Sequence, residues 1–196
     1  MKGLTLCAVT LAVAAGAAAG PGASKRDADL LRQKVATINT HAERTPKLAR
    51  RTTITENEVN AYLVFDAPGQ LPAGVVDPSV TILGTGRLSG RAVVDLDAVR
   101  RAKSSGSLLD PTNFLTGRLP VTATGTLTTS NGIGRFQLES AAVGGIPVPK
   151  ILLQEIVSYY SRTPDKPAGI GLDDPFALPA RIREIQVERG QAIIVQ

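Results

Sequence analysis

In "DADLLRQKVATINTHAER" the apolar positions Leu31, Val35, Ile38 and Ala42 are spaced four, three and four apart. That spacing predicts a helix with one buried face. Asp27 and Asp29 suit its N-terminus. Pro46 ends it, because the residue before a proline is pushed out of the α region. In the next stretch, "TITENEVNAYLVF", Thr55 followed three residues later by Glu58 fits a capping box. Val59, Tyr62 and Leu63 then form an apolar stripe. This accounts for the polar cluster as a helix start, and leaves Asn60 as a ligand contact or a helix-surface residue.

From Asp77 the period changes from 3.6 to 2. "PSVTILG" places Val80 and Ile82 on one face, and Gly84–Thr85–Gly86 reads as a turn. In "RLSGRAVVDLD", Leu88, Gly90, Ala92, Val94 and Leu96 alternate with Arg87, Ser89, Arg91, Asp95 and Asp97, a half-buried antiparallel strand. A short basic helix or loop (98–105) and a connection, "GSLLDPTNFLTG", follow. "RLPVTATGTLTT" sets Leu119, Val121, Ala123, Gly125 and Leu127 against four threonines. Asn131–Gly132 is a hairpin signal, and "RFQLESAAV" is the return strand with Phe136 and Leu138 inward. "GGIPVPKILLQEIVSYYSR" predicts a second strong helix, with Leu152, Leu153, Ile156, Val157 and Tyr160 on its apolar face. A turn-rich connection leads to two closing strands around Gly190.

The first residues alter the boundaries. Lys2, the apolar run Leu4–Ala15 and the small residues after it have the layout of a secretory signal, with a cut after Ala19 or Gly20. The run is too short to span a bilayer, which needs about 20 apolar residues. Cys7 lies within it, so the exported chain carries no disulfide and no thiolate. The expected organisation is a signal over 1–20, a linker over 21–27 and a single domain over 28–196, periplasmic or extracellular and soluble after cleavage. The net charge of +5 concentrates in "KLARR" and "VRRAK". These runs are solvated faces or, outside the cytoplasm, contacts for an anionic lipid surface rather than for nucleic acid.

The chemistry on offer is thin. His41 is the one histidine, which leaves a Ser-His-Asp triad without context and a His/Cys zinc site without ligands. It reads as a surface residue. Asp95 with Asp97, and Asp173 with Asp174, are carboxylate pairs on polar positions, read as solvated or salt-bridged. Gly84–Gly90 lacks the following helix that a phosphate loop requires. With 4% aromatics and no tryptophan, readings built on base-stacking platforms or aromatic sugar-binding surfaces are weak. No cofactor is expected, and no enzyme.

The strands offer a shape instead. Leu88–Gly90–Ala92–Val94 and Val121–Ala123–Gly125–Leu127 are bulky at the ends and small in the middle. Small residues there either admit a closely packed helix or leave an apolar groove beneath "ILLQEIVSYY", suited to an acyl chain. In "TITENEVNAYL", "GIPVPKILLQEI" and "DDPFALPARIREIQVERGQAIIV" the chain resembles bacterial relatives of the tubular lipid-binding (TULIP) superfamily, the exported YceB-, YpmS- and LmeA-like proteins. The resemblance extends over most of the exported chain. It implies an α+β fold: a long, strongly curved antiparallel sheet wrapped around one long amphipathic helix, with an additional N-terminal helix. It implies no catalytic set.

The expectation is a non-catalytic protein that binds or shuttles a lipid or other amphiphile. Leu63, Leu88, Ala92, Val94, Val121, Ala123, Leu152, Ile156 and Tyr160 would line the groove. Arg50, Arg51, Arg100, Arg101 and Lys103 would meet headgroups. The alternative is an envelope adaptor with a filled core and a protein partner. An acid hydrolase is third, and needs two carboxylates meeting in a cleft.

Overall fold

Ser24 opens the first helix, its hydroxyl accepting from the Asp27 N–H at 3.1 Å. α1 then runs Lys25–Glu43. The computed structural model describes residues 23–44, 49–103, 116–160, 162 and 165–196. The expected signal and the first two residues of the linker lie outside these residues. So do most of the connection before residue 118 and part of the "KLARR" run. α1 buries Ala28, Leu31 and Ile38, whereas Val35, on the expected stripe, is exposed. The inward place goes instead to Lys34, whose ammonium lies 2.6 and 2.8 Å from the two Glu58 oxygens.

β1 (Arg51–Thr55) feeds directly into α2 (Glu56–Phe65). The capping box is present: Thr55 Oγ1 accepts from the Glu58 N–H at 3.3 Å, and the Thr55 N–H donates to Glu58 Oε2 at 2.9 Å. α2 buries Glu58 and Ala61, while Val59, Tyr62 and Leu63 of the expected stripe are half-buried. A charged residue can take an inward position here because both its oxygens have partners.

The long sheet holds β2 (Val75–Gly84), β3 (Arg87–Asp95), β4 (Arg118–Ser130) and β5 (Ile133–Val143), all antiparallel neighbours. The two-residue β6 (Ile146–Pro147) and β7 (Phe176–Ala177) pair with opposite ends of β5. Both tight hairpins place consecutive residues at positive φ, Thr85 and Gly86 at 54° and 80°, Asn131 and Gly132 at 50° and 80°. That backbone matches the twist of the strands it joins. β3 ends two residues before its expected boundary. Asp95 Oδ1 accepts from the Ala98 N–H at 2.9 Å and starts α3 (Leu96–Lys103), so Leu96 and Asp97 belong to a helix and not to the strand face.

After β6 comes α4 (Lys150–Tyr160). Its Gln154 Oε1 accepts from the Leu172 N–H at 2.7 Å, and Lys150 Nζ lies 2.6 Å from Asp173 Oδ2. The segment before β7 is therefore held along the helix by polar contacts.

β8 (Glu184–Glu188) and β9 (Gln191–Val195) form the closing hairpin, and β1 adds to β9 to give a second, three-stranded sheet, β1-β9-β8. Pairing runs from Arg51 opposite Val195 to Thr55 opposite Gln191. "RTTIT" was legible only as a basic run and a polar lead-in, since its single apolar residue, Ile54, produces no alternation. The small sheet is tied to the long one through Gly190 N–H to Ile82 O (2.8 Å) and Gly132 N–H to Arg183 O (2.9 Å). The Thr129 hydroxyl accepts from the Ile185 N–H and donates to the Ile185 carbonyl. A core of Ile38, Leu178, Ile182 and Ile194 closes this end of the molecule. Gln196 Nε2 crosses it, donating to Ile38 O at 2.9 Å and to Ala180 O at 2.8 Å. The observed class is thus mixed α+β, with a large antiparallel sheet and four helices among the described residues. None of these helices is long and apolar enough to cross a membrane.

α2 also closes an edge. The Asn60 carboxamide accepts from the Val80 N–H at 2.7 Å and donates to the Val80 carbonyl at 2.8 Å, as a neighbouring strand would. Glu56 Oε2 accepts from the Ile82 N–H at 2.6 Å. Of the two readings of Asn60, the structure thus supports neither: it is an edge clamp.

Replacing Lys34 by Met strands the Glu58 carboxylate and should lower unfolding free energy by about 3 kcal/mol. Lys34→Met with Glu58→Gln, which keeps a capping-box side chain, should recover most of that loss in urea titrations. Asn60→Leu should cost about 1–3 kcal/mol. Asn60→Asp, which still accepts from Val80 but cannot donate, should fall between it and the parent protein on the same titration.

Candidate functional site

The register of the long sheet gathers the expected apolar positions on one face. Leu88 lies opposite Gly125, Gly90 opposite Ala123, Ala92 opposite Val121 and Val94 opposite Leu119. Ala123 and Val121 are in turn paired with Ala141 and Val143 of β5. A bulge at Thr124/Gly125 then sets Gly125 beside Leu138 and Leu127 beside Phe136. Leu88, Ala92, Val94, Val121 and Ala123 are therefore neighbours, as the alternation predicted.

How this face is filled differs from end to end. At Gly125 the surface is closed: an added Cβ would lie 2.5 Å from the Phe136 ring. Gly134 is likewise covered by Phe176, 2.6 Å from where a Cβ would stand. At Gly90, in mid-strand, no atom of the described residues other than its chain neighbours lies within 4 Å of that point. Gly90, Ala92 and Ala123 are half-buried.

α4 leaves part of its apolar set outside, while Leu153 and Val157 are half-buried. Ile151 is 76% and Leu152 51% exposed, and Ile146 just before the helix is 71% exposed. Leu63 is half-buried on α2, which runs along the β2 edge. The side chains of Ile156, Tyr160 and Lys103 lie outside the described residues. Two hollows, of about 320 and 390 Å³, sit away from the apolar face. The first is lined by Ala36, Thr37, Thr40, His41, Arg44 and Arg50, and the second by residues that include Thr129, Asn131 and Arg183. His41, expected on the surface, is half-buried, with Nε2 enclosed and unpartnered among the described residues.

The basic candidates separate into two groups. Arg50 and Arg51 lie at the start of β1, beside Gln196 and Val195. Arg100 and Arg101 lie on α3, at the opposite end of β4, whose 13 residues span roughly 40 Å when extended. Arg100 pairs with Asp97 at 3.0 Å.

The carboxylates are occupied structurally. Asp95 is held below the usual carboxylate range, first by the Ala98 N–H and then by Arg118, whose Nε is 3.5 Å away. Glu139 is lowered by the Thr126 hydroxyl and then by Arg87, at 2.8 Å. Asp173 meets Lys150, and Asp174 accepts from the Gly171 N–H at 2.7 Å. Among the described residues no group of three or more His, Cys, Asp or Glu could hold a metal ion.

No family model matches the chain, and no curated protein does. Among solved structures the chain is similar to a lipopolysaccharide binding protein, at 19% identity over 74% of this chain. It spans 40% of that protein's length, with a TM-score of 0.23, too low to establish a shared fold.

Because the folded pKa values of Asp95 and Glu139 are depressed, their stabilisation is complete above the unfolded carboxylate value of about 4 and is lost as pH falls through the folded value. Asp95→Asn with Glu139→Gln should therefore flatten the decline of the urea midpoint on acidification below that pH. An unchanged slope would assign the decline to other groups.

Proposed function

We propose that this protein is a non-catalytic, exported binder of a lipid or similar amphiphile, held against the apolar face of the long sheet. The observation that carries the reading is the open space over Gly90 on an apolar face that Phe136 closes at one end. Small side chains usually occur where a neighbour packs closely; at Gly90 none of the described residues does so. A row of Gly90, Ala123 and Ala141, flanked by Val121, Val143, Leu88 and Leu138, has the apolar character an acyl chain requires. In this reading the sheet curls around α4, whose exposed Leu152 and Ile151 turn toward the occupant, as in the tubular lipid-binding proteins that the sequence resembles. Residues 28–196 act as one domain after removal of the signal.

A second reading is favoured by Ile146, Ile151 and Leu152, which give β6 and α4 an outward apolar surface. An adaptor would use it for a protein partner. Native mass spectrometry of the chain from residue 21, purified without detergent, separates the two. A lipid adduct lost on denaturation is expected, and Gly90→Leu together with Ala123→Leu should remove the adduct while preserving or raising stability. A bare parent protein whose stability drops on filling the face would instead favour the adaptor.

A further inference from the structure

The long-range pairing of the chain assembles a charged surface that no single segment encodes. Gln196 is its hub. The Arg50 N–H donates to the Gln196 carbonyl at 3.2 Å, and the Gln196 N–H returns to Arg50 O at 2.9 Å. Arg183 Nη2 donates to the same Gln196 carbonyl at 3.3 Å. Arg181 Nη1 reaches Arg44 O at 3.2 Å, across the end of α1. Arg51 is paired with Val195 in the small sheet, and its guanidinium donates to the Gln186 side chain. Arg44 and Arg50 line one hollow with Thr37, Thr40 and His41.

Five arginines from three separate stretches thus meet at one pole, and all five are exposed. Among the described residues none is paired with an aspartate or glutamate. Glu43 and Glu184 are the adjacent acids in sequence, and neither enters an ion pair with them. The Arg100 cluster differs, since its first member is neutralised by Asp97.

We infer that this pole docks the protein on a bilayer surface bearing anionic phospholipid. Guanidinium groups bind phosphate in a bidentate manner, and unpaired ones give up no internal ion pair on binding. Apolar residues at the same pole favour a membrane over a free polyanion. Gly132 bonds to the Arg183 carbonyl, and the next residue, Ile133, is 49% exposed. Phe176, opposite Gly134, is 44% exposed. Guanidinium groups for the headgroup layer, beside an isoleucine and a phenylalanine for the acyl boundary, match the two parts of an interface. The choice of a membrane rests on the lipid reading above, while the arginine pole itself is independent of the furrow.

The test is co-sedimentation of the mature chain with vesicles of phosphatidylcholine alone and of phosphatidylcholine with phosphatidylglycerol. The side chains of Arg44 and Arg50 make no hydrogen bond among the described residues, so Arg44→Gln with Arg50→Gln leaves the fold intact, checked by circular dichroism. Expected are binding to the anionic vesicles, weakening with salt, and a loss of roughly ten- to thirty-fold in the double variant. Arg44→Lys with Arg50→Lys should retain most of the binding, and Arg100→Gln with Arg101→Gln should leave it unchanged. Equal binding to both vesicles, loss only in the α3 variant, or binding of soluble glycerol phosphate or a DNA oligonucleotide without vesicle binding would overturn the inference. The furrow-filled Gly90→Leu/Ala123→Leu variant should still dock. Docking without any lipid adduct would therefore refute the furrow and not the pole.

Discussion

Among the described residues, strand β2 has one strand neighbour in the long sheet, so half of its backbone polar groups face away from β3. Left bare, they would cost stability and invite pairing with another chain. α2 answers this with side chains: Asn60 supplies both a donor and an acceptor to Val80, and Glu56 takes the Ile82 N–H. For those groups to reach the edge, the start of α2 has to be fixed in place. Thr55, Glu58 and Lys34 fix it by joining the helix cap to α1. Every residue of "TENEVN" except Asn57 and Val59 is thus committed to a named polar contact, and the position of the first helix, the sheet edge and the small sheet follows from that commitment.

The parts of the fold legible in the sequence are those whose side chains report their own surroundings. Leu88 to Val94 and Val121 to Leu127 alternate because one face meets water, and the register later set these positions side by side. Asn131–Gly132 announced its hairpin through its backbone preference. What stayed illegible depends on partners far along the chain. Ile54 in "RTTIT" becomes a strand residue because β9 lies beside it, more than a hundred residues later. Lys34 displaces Val35 because Glu58 lies opposite. Asp97 leaves the strand because Asp95 caps a helix.

The candidate site divides along the same line. Its apolar face was readable as a two-residue period, whereas the closure over Gly125 depends on where Phe136 comes to rest, and the space that the described residues leave over Gly90 on what lies opposite it. The basic residues were visible as two local runs, yet Arg44, Arg181 and Arg183 come to the same pole as Arg50 and Arg51 only through long-range bonds, Arg181 to the Arg44 carbonyl and Arg183 and Arg50 to Gln196. The runs that look alike in sequence lie at opposite ends of β4 and differ in whether a carboxylate answers them.

The bond from the Gln196 carboxamide to the Ile38 carbonyl links residues 158 positions apart. β1 and β9 are nearly as distant, and the core around Ile38, Leu178 and Ile194 needs both. Contacts of such separation carry a loop-closure cost before they yield stabilisation, which slows folding. The hairpins of the long sheet can form early from neighbouring segments, but the end that seals the molecule must wait for Gln196. A chain emerging in order from its N-terminus therefore stays unsealed until its final strand is available.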